Sequence, residues 1–277
     1  MQDSGNKLSA LWFQKALQNG STLAHYSQGR RFFAEKKYKE AFDHFKKASD
    51  DGFVEAHYCL AYFYMKPVVV SKDVKKGIDL YEKAANEGHV ESQYSLGNIY
   101  LFGHGVKKDL DHAIKWLSMA TEKGDAQAQF ELGQAFMSKC VTKEGDDKKS
   151  ASELAYKWFT EGRDKFRLDD DPNIQENLEK AYYWLEQAAK QDVIGAQFMF
   201  ACLSAAKNQN VKAYAWFMVI ASQVGEPEDD MERITINDSK KLMIRLKNNM
   251  SRDEFDQSSE MFLKIKSSIK KTRSKAE

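Results

Sequence analysis

Residues 92–124 read SQYSLGNIYLFGHGVKKDLDHAIKWLSMATEKG, and this stretch recurs in altered form along most of the chain. Its opening, Ser92-Gln93-Tyr94-Ser95-Leu96-Gly97, places a small residue first, an aromatic two positions on and a small residue five positions on. The same arrangement occurs in Ala24–Gly29, Ala56–Ala61, Ala128–Gly133 and Ala196–Ala201. The starts lie 32, 36, 36 and 68 residues apart, the last interval being one long and one short period. A repeat of this length is that of a helix–turn–helix unit.

A second motif follows the first. KEAFDHFKKASDDG ends at Gly52, KKGIDLYEKAANEG at Gly88 and DHAIKWLSMATEKG at Gly124, while LEKAYYWLEQAAKQD ends at Asp192 and VKAYAWFMVIASQVG at Gly225. Ala16, Ala48, Ala84, Ala120 and Ala188 each stand eight residues before the next unit's small starting residue. So constant a spacing across a Gly-bearing turn predicts one turn geometry, with Gly in the left-handed conformation that ends a helix. Helices in contact lie closest where their crossing carries no bulk. Gly29, Ala61, Gly97, Gly133 and Ala201 are therefore expected at helix crossings, with Tyr64, Tyr81, Tyr100 and Trp116 filling the space between hairpins. No single hairpin hides its own apolar stripe, so stability must come from stacking neighbours.

The 92–124 copy carries Leu96 and Gly97, Tyr100, the loop Gly103-His104-Gly105-Val106, Asp109 ahead of the second helix, and a terminal Gly124. In these residues the chain resembles the Sel-1-like repeat family, relatives of the tetratricopeptide repeats, and its closing segment is similar to that of bacterial members. The resemblance covers roughly residues 8–260. It implies an all-α, right-handed α–α superhelical solenoid. The Ala56–Gly88 copy keeps Asp73 but has Lys66-Pro67-Val68 where the loop glycines belong, and the first and last hairpins lack the loop. The expected organisation is a cap or remnant second helix over 1–22, repeats over 23–225 and capping helices with a basic tail over 226–277. The repeats are broken by an insertion at 139–176, which holds one helix-compatible stretch, SASELAYKWFTEGRDKF.

Composition narrows the function. The 42 basic and 41 acidic residues leave a formal charge of +1, without the basic excess of a nucleic-acid binder, so no nucleic-acid partner is expected. Cys59, Cys140 and Cys202 form no CxxC pair, which favours a reducing compartment and a cytoplasmic location, or a periplasmic or secreted one had a signal peptide been removed. No apolar run approaches the ~18 residues of a membrane span. His25 and His57 hold the repeat position that Gln93, Gln129 and Gln197 fill elsewhere, and no HExxH, GxSxG or GxxxxGK[ST] motif occurs. No metal, cofactor or catalytic residue is expected. The acidic stretches around Asp146, Asp170 and Asp229 and the terminal KIKSSIKKTRSKAE read as solvated turns and a solvated end.

The tetratricopeptide analogy puts the third and seventh residues of each motif on a concave face. Tyr26, Tyr58, Tyr94, Phe130 and Phe198 form one row; Arg30, Tyr62, Asn98, Gln134 and Cys202 form the other. The aromatic row reads first as packing between neighbouring first helices. The second row changes identity from copy to copy, as a recognition surface would. The expected activity is that of a non-enzymatic adaptor gripping a protein or peptide partner in this groove. Two alternatives remain open: an exported or periplasmic host-interaction factor using the same groove, and an enzyme seated in the 139–176 insertion.

Overall fold

The computed structural model describes residues 11–140, 150–161, 171–223 and 230–276. The residues before Leu11, the acidic turns at Asp146, Asp170 and Asp229, and Gly225 lie outside the described residues. The described chain is all-α and contains no strand, and no helix in it is long and apolar enough to cross a membrane. It divides into two compact units, one ending at Lys108 and one beginning at Asp109.

The first unit holds α1 (residues 11–18), α2 (Thr22–Ala34), α3 (Tyr38–Asp50), α4 (Val54–Met65), α5 (Val74–Asn86) and α6 (Val90–Phe102). Here α2 packs on α3 and α4 on α5 as hairpins, joined by the α3–α4 and α5–α6 contacts. The second unit holds α7 (Leu110–Thr121), α8 (Ala126–Lys139), α9 (Ala151–Glu161), α10 (Pro172–Lys190), α11 (Ile194–Ala206), α12 (Asn210–Ala221), α13 (Asp230–Lys247) and α14 (Arg252–Ala276). Its hairpins are α8 with α10 and α11 with α12; α7 packs on α8, and α13 and α14 close over α12.

Local chemistry accounts for the helix ends. The side chains of Asp73, Asp109, Asp125 and Asp171 each accept a hydrogen bond from a backbone N–H in the first turn that follows, which satisfies donors that have no partner inside the helix. Pro172 opens α10 at a position where its missing N–H costs nothing. At the turn between repeats, Gly52, Gly88 and Gly124 take φ of 85°, 85° and 78°. Asp192 holds the same place at φ 72°, a conformation that Asp tolerates better than most side chains.

Two of the small residues lie where helices approach closely, and the other three are buried. A Cβ on Gly29 in α2 would fall 2.8 Å from the Phe45 ring of α3, and one on Gly133 in α8 would fall 2.7 Å from Cγ of Leu185 in α10. Ala61 and Ala201 have no exposed surface, and Gly97 is buried. Second helices bury a single stripe, as α3 does with Ala41, Phe45, Ala48 and Ser49. By contrast α11 buries every residue from Ala196 to Ala205, as a helix enclosed on all sides must.

The described part of the insertion holds one helix, set apart from the repeat frame. The stretch 151–161 forms α9, yet α9 does not become the second helix of the α8 hairpin. That place goes to α10, which packs along α8, while α9 lies against α11 and the side of α8. Tyr156 of α9 stacks on Phe198 of α11 with centroids 6.5 Å apart and planes at 15°. At the far end of α9, Arg245 of α13 donates to the Thr160 carbonyl at 2.7 Å.

Candidate functional site

The histidines serve the repeat frame. His57 shares a 2.7 Å hydrogen bond with the Ser49 hydroxyl, Gln93 Nε2 donates to the Ala85 carbonyl at 3.0 Å, and Gln197 Nε2 donates to the Ala189 carbonyl at 3.3 Å. Each bond reaches back eight residues, across the turn between repeats. In these three copies the polar residue ties a first helix to the helix before it, whereas Gln129 accepts from Gln191 Nε2 at 2.8 Å. His25 instead meets His44, Nδ1 to Nδ1, at 2.9 Å. Burial pushes both imidazoles below their ordinary range, with Lys47 adding to the effect on each. His89 Nδ1 accepts from the Ser92 N–H at the start of α6, and His112 pairs with the capping Asp109 at 2.8 Å. Among the described residues no group of three or more His, Cys, Asp or Glu side chains is disposed to hold a metal ion.

The aromatic row lies between successive repeats. Tyr26 packs on Phe45 and Phe53 at 6.1 and 4.9 Å, and Tyr58 packs on Tyr81 and His89 at 5.7 and 5.0 Å. Relative to the repeat these are the same contacts, one on the second helix and one on the residue capping the next first helix. Tyr94 is half-buried. In the second unit Phe130 abuts Gly195, where a Cβ would fall 2.7 Å from Cζ of the ring. Phe198 lies 6.1 Å from Phe217 and is only 8% exposed.

The second row falls into two groups. In the first unit Arg30 is exposed, its guanidinium 5.9 Å from the Tyr26 ring, and Tyr62 is 39% exposed with its ring edge-on to Phe33 at 5.9 Å. Asn98 is half-buried, and its Oδ1 is buried without a hydrogen-bond partner. In the second unit Gln134 donates to Glu131 at 3.2 Å. Cys202 has no exposed surface. The expectation that Cys202 lines an open groove is therefore corrected: the all-round burial of α11, against α9, α10, α12 and α13, encloses the thiol. Burial also raises its pKa well above the ordinary thiol value.

Glu131 escaped the sequence reading. It is 6% exposed, and the only described hydrogen bonds to its carboxylate come from the neutral amides of Gln127 at 3.1 Å and Gln134 at 3.2 Å. Burial pushes the carboxyl up to about 7, against a smaller opposing effect of the Gln127 hydrogen bond. A signal was present: the other copies carry Ser27, Cys59, Ser95 and Met199 at this position, and only this one carries a charge.

A family model described as Sel1 repeat matches residues 23–53, 54–89, 90–125, 126–164 and 168–193. Its fourth copy ends just beyond α9, whereas the helix that completes the α8 hairpin is α10. No curated protein matches the chain. Among solved structures, the chain is similar to c5321, a protective antigen present in uropathogenic Escherichia coli strains and displaying an SLR fold. The two share 20% identity over 96% of this chain and 59% of that one, with a TM-score of 0.48. A Sel1 repeat protein from Oxalobacter formigenes is 27% identical over 45% of this chain and 96% of its own, with a TM-score of 0.41. The chain thus spans 59% of the length of the first of these relatives.

Proposed function

The chain belongs to the Sel1 repeat family, whose members typically mediate protein–protein interaction, and on that footing we propose that it is a non-enzymatic adaptor engaging a protein partner through its first-helix faces. One contrast carries this reading. The small residues that recur from copy to copy are buried, whereas Arg30 and Tyr62, at a position that varies between copies, are exposed. A frame held constant by packing, with changing side chains on its surface, is what specific recognition by a repeat array requires. Exposed aromatic and arginine side chains are also the types that most often dominate binding energy at interfaces. The three cysteines are free and two of them are buried, which fits a chain working in a reducing compartment.

The test is affinity capture from lysate of the native host with wild-type protein and with the double variant Arg30→Glu, Tyr62→Ala. The far-UV circular dichroism should stay close to wild type, and the melting temperature should fall only by what the Tyr62 ring contacts with Phe33 and Phe63 contribute. The reading expects a specific partner to be recovered by wild type and lost by the variant. Equal recovery by both would remove the first-unit face from the interaction.

A further inference from the structure

The closing helix α14 forms a cleft outside the repeat pattern. It packs along α12 and barely meets α10, so the groove between α10 and α14 stays open over α12, with a cavity of about 340 Å³. This is at the small end of the range for ligand pockets, suited to an anchoring side chain more than to a whole ligand. The lining is largely apolar. Trp216 and Ile269 are recessed, at 3% and 7% exposed, while Met261 and Ile265 of α14 are half-buried.

Charge at the cleft is not balanced. Lys190, Lys212 and Lys264 line it with a single carboxylate, Glu186. Glu186 pairs with Lys190 at 3.3 Å, one turn apart on α10, and these two cancel. Lys212 is half-buried; it donates to the Tyr182 hydroxyl at 3.2 Å and lies 5.5 and 5.8 Å from the Tyr182 and Phe200 rings. All of these partners are neutral, and an ammonium has three donors, so charge and donors are left over for a ligand. Lys264 is exposed and its ammonium is paired with no described carboxylate, Glu260 one turn before it included. The last turn of α10 adds about half a negative charge at the cleft, which the two uncompensated ammoniums exceed. The surroundings have the same sign: the sequence from Met261 to Ala276 holds six basic residues and no acidic one.

We propose that this cleft docks an acidic segment of a partner protein, with an apolar side chain of that segment set on Trp216 and Ile265 and flanking carboxylates meeting Lys212 and Lys264. Charge complementarity selects the occupant, since the two ammoniums and the rest of α14 draw an anion. The apolar floor then favours an anion that carries an apolar group beside its charge. A flat lipid surface does not reach a floor as recessed as Trp216 and Ile269. The site is built from second helices and a closing helix, so it stands apart from the first-helix reading above and does not depend on it.

The experiment is a fluorescence-polarisation titration of the full chain with the labelled peptide EEDFDEE, beside QQNFNQQ and EEDGDEE, with amide-resolved NMR to place the bound peptide. Saturable binding of EEDFDEE is expected, with shifts at Lys212–Trp216 and Met261–Ile269. QQNFNQQ keeps the apolar residue and loses the charge, and should bind at least about tenfold more weakly. EEDGDEE keeps the charge and loses the anchor, and should weaken by a similar factor. Lys264→Glu, on an exposed side chain, should weaken EEDFDEE at least about tenfold with the thermal melt unchanged. Because both peptide comparisons use wild-type protein, misfolding of a variant cannot obscure the result. Equal binding of EEDFDEE and EEDGDEE would reduce the site to a general attraction of anions and overturn the proposal. Equal binding of EEDFDEE and QQNFNQQ, a Lys264→Glu variant that binds as wild type does, shifts that map elsewhere, or no saturable binding would each overturn it as well. Capture by phosphatidylglycerol vesicles in place of the peptide would overturn it in favour of a lipid surface.

Discussion

Replacing Glu131 with Gln should stabilise the protein at alkaline pH and change little in acid. Burial of the carboxyl in α8 pushes its pKa up to about 7 from an ordinary 4.5, against a smaller lowering by the Gln127 hydrogen bond. Between those two values the folded chain holds a proton that the unfolded chain has released. The contribution of Glu131 to stability is therefore greatest below pH 4.5, falls as pH rises towards 7, and changes no further above it. The gap between 4.5 and about 7 makes the ionised carboxylate cost about 3 kcal/mol at pH 8. Glu131→Gln removes the charge and leaves an amide able to meet both neighbours. In urea unfolding followed by circular dichroism, the stability of the variant minus that of wild type should grow by about 3 kcal/mol between pH 4.5 and pH 8. With a denaturant slope of the usual size, that is a midpoint shift of about 1 M or more. An equal difference at both pH values, or a Glu131 carboxyl that titrates below pH 5 by carbon-detected NMR, would refute the reasoning.

Four further outcomes are expected. Gly88→Ala should cost about 1 kcal/mol, because φ is 85° and a Cβ there would meet nothing within 4 Å; Gly133→Leu should cost about 1–3 kcal/mol or more by overpacking against Leu185, and thermal melts of both variants check this. The His25 and His44 rings are held below their ordinary pKa of 6.5, so their contribution to stability is complete above pH 6.5 and is lost as pH falls through their folded values; His25→Gln, the residue other copies use, should blunt that loss in urea melts from pH 7 to pH 5. Burial pushes the Cys59 and Cys140 thiols up to about 12 and that of Cys202 up as well, so a thiol reagent at pH 8 should label the buried Cys140 and Cys202 no faster than the second unit opens, which mass spectrometry of timed samples measures.

The frame of the fold was legible in the residue order because it is made of local relations. The eight-residue interval across each turn, the Asp that caps a following helix, the Gly in the left-handed conformation and the small residue at a crossing all link positions within one or two hairpins. A repeating sequence states such relations several times over. The same periodicity sets Gly29 and Gly133 in the small-residue column, where a Cβ would meet Phe45 and Leu185, and sets Glu131 as the charged member of an otherwise uncharged column.

Three features were decided only by the tertiary structure. The seat of α9, the enclosure of Cys202 and the cavity of about 890 Å³ between α8, α9, α11 and α13 depend on contacts between residues far apart in the chain. Nothing periodic specifies those contacts, because the insertion occurs once. AYKWF in α9 has the composition of a second helix, yet α10 holds that place, since its Leu185 closes on the bare backbone of Gly133. Left without that partner, α9 buries Leu154 and Trp158 on the face where an open groove was expected, and so turns part of a surface into a pocket.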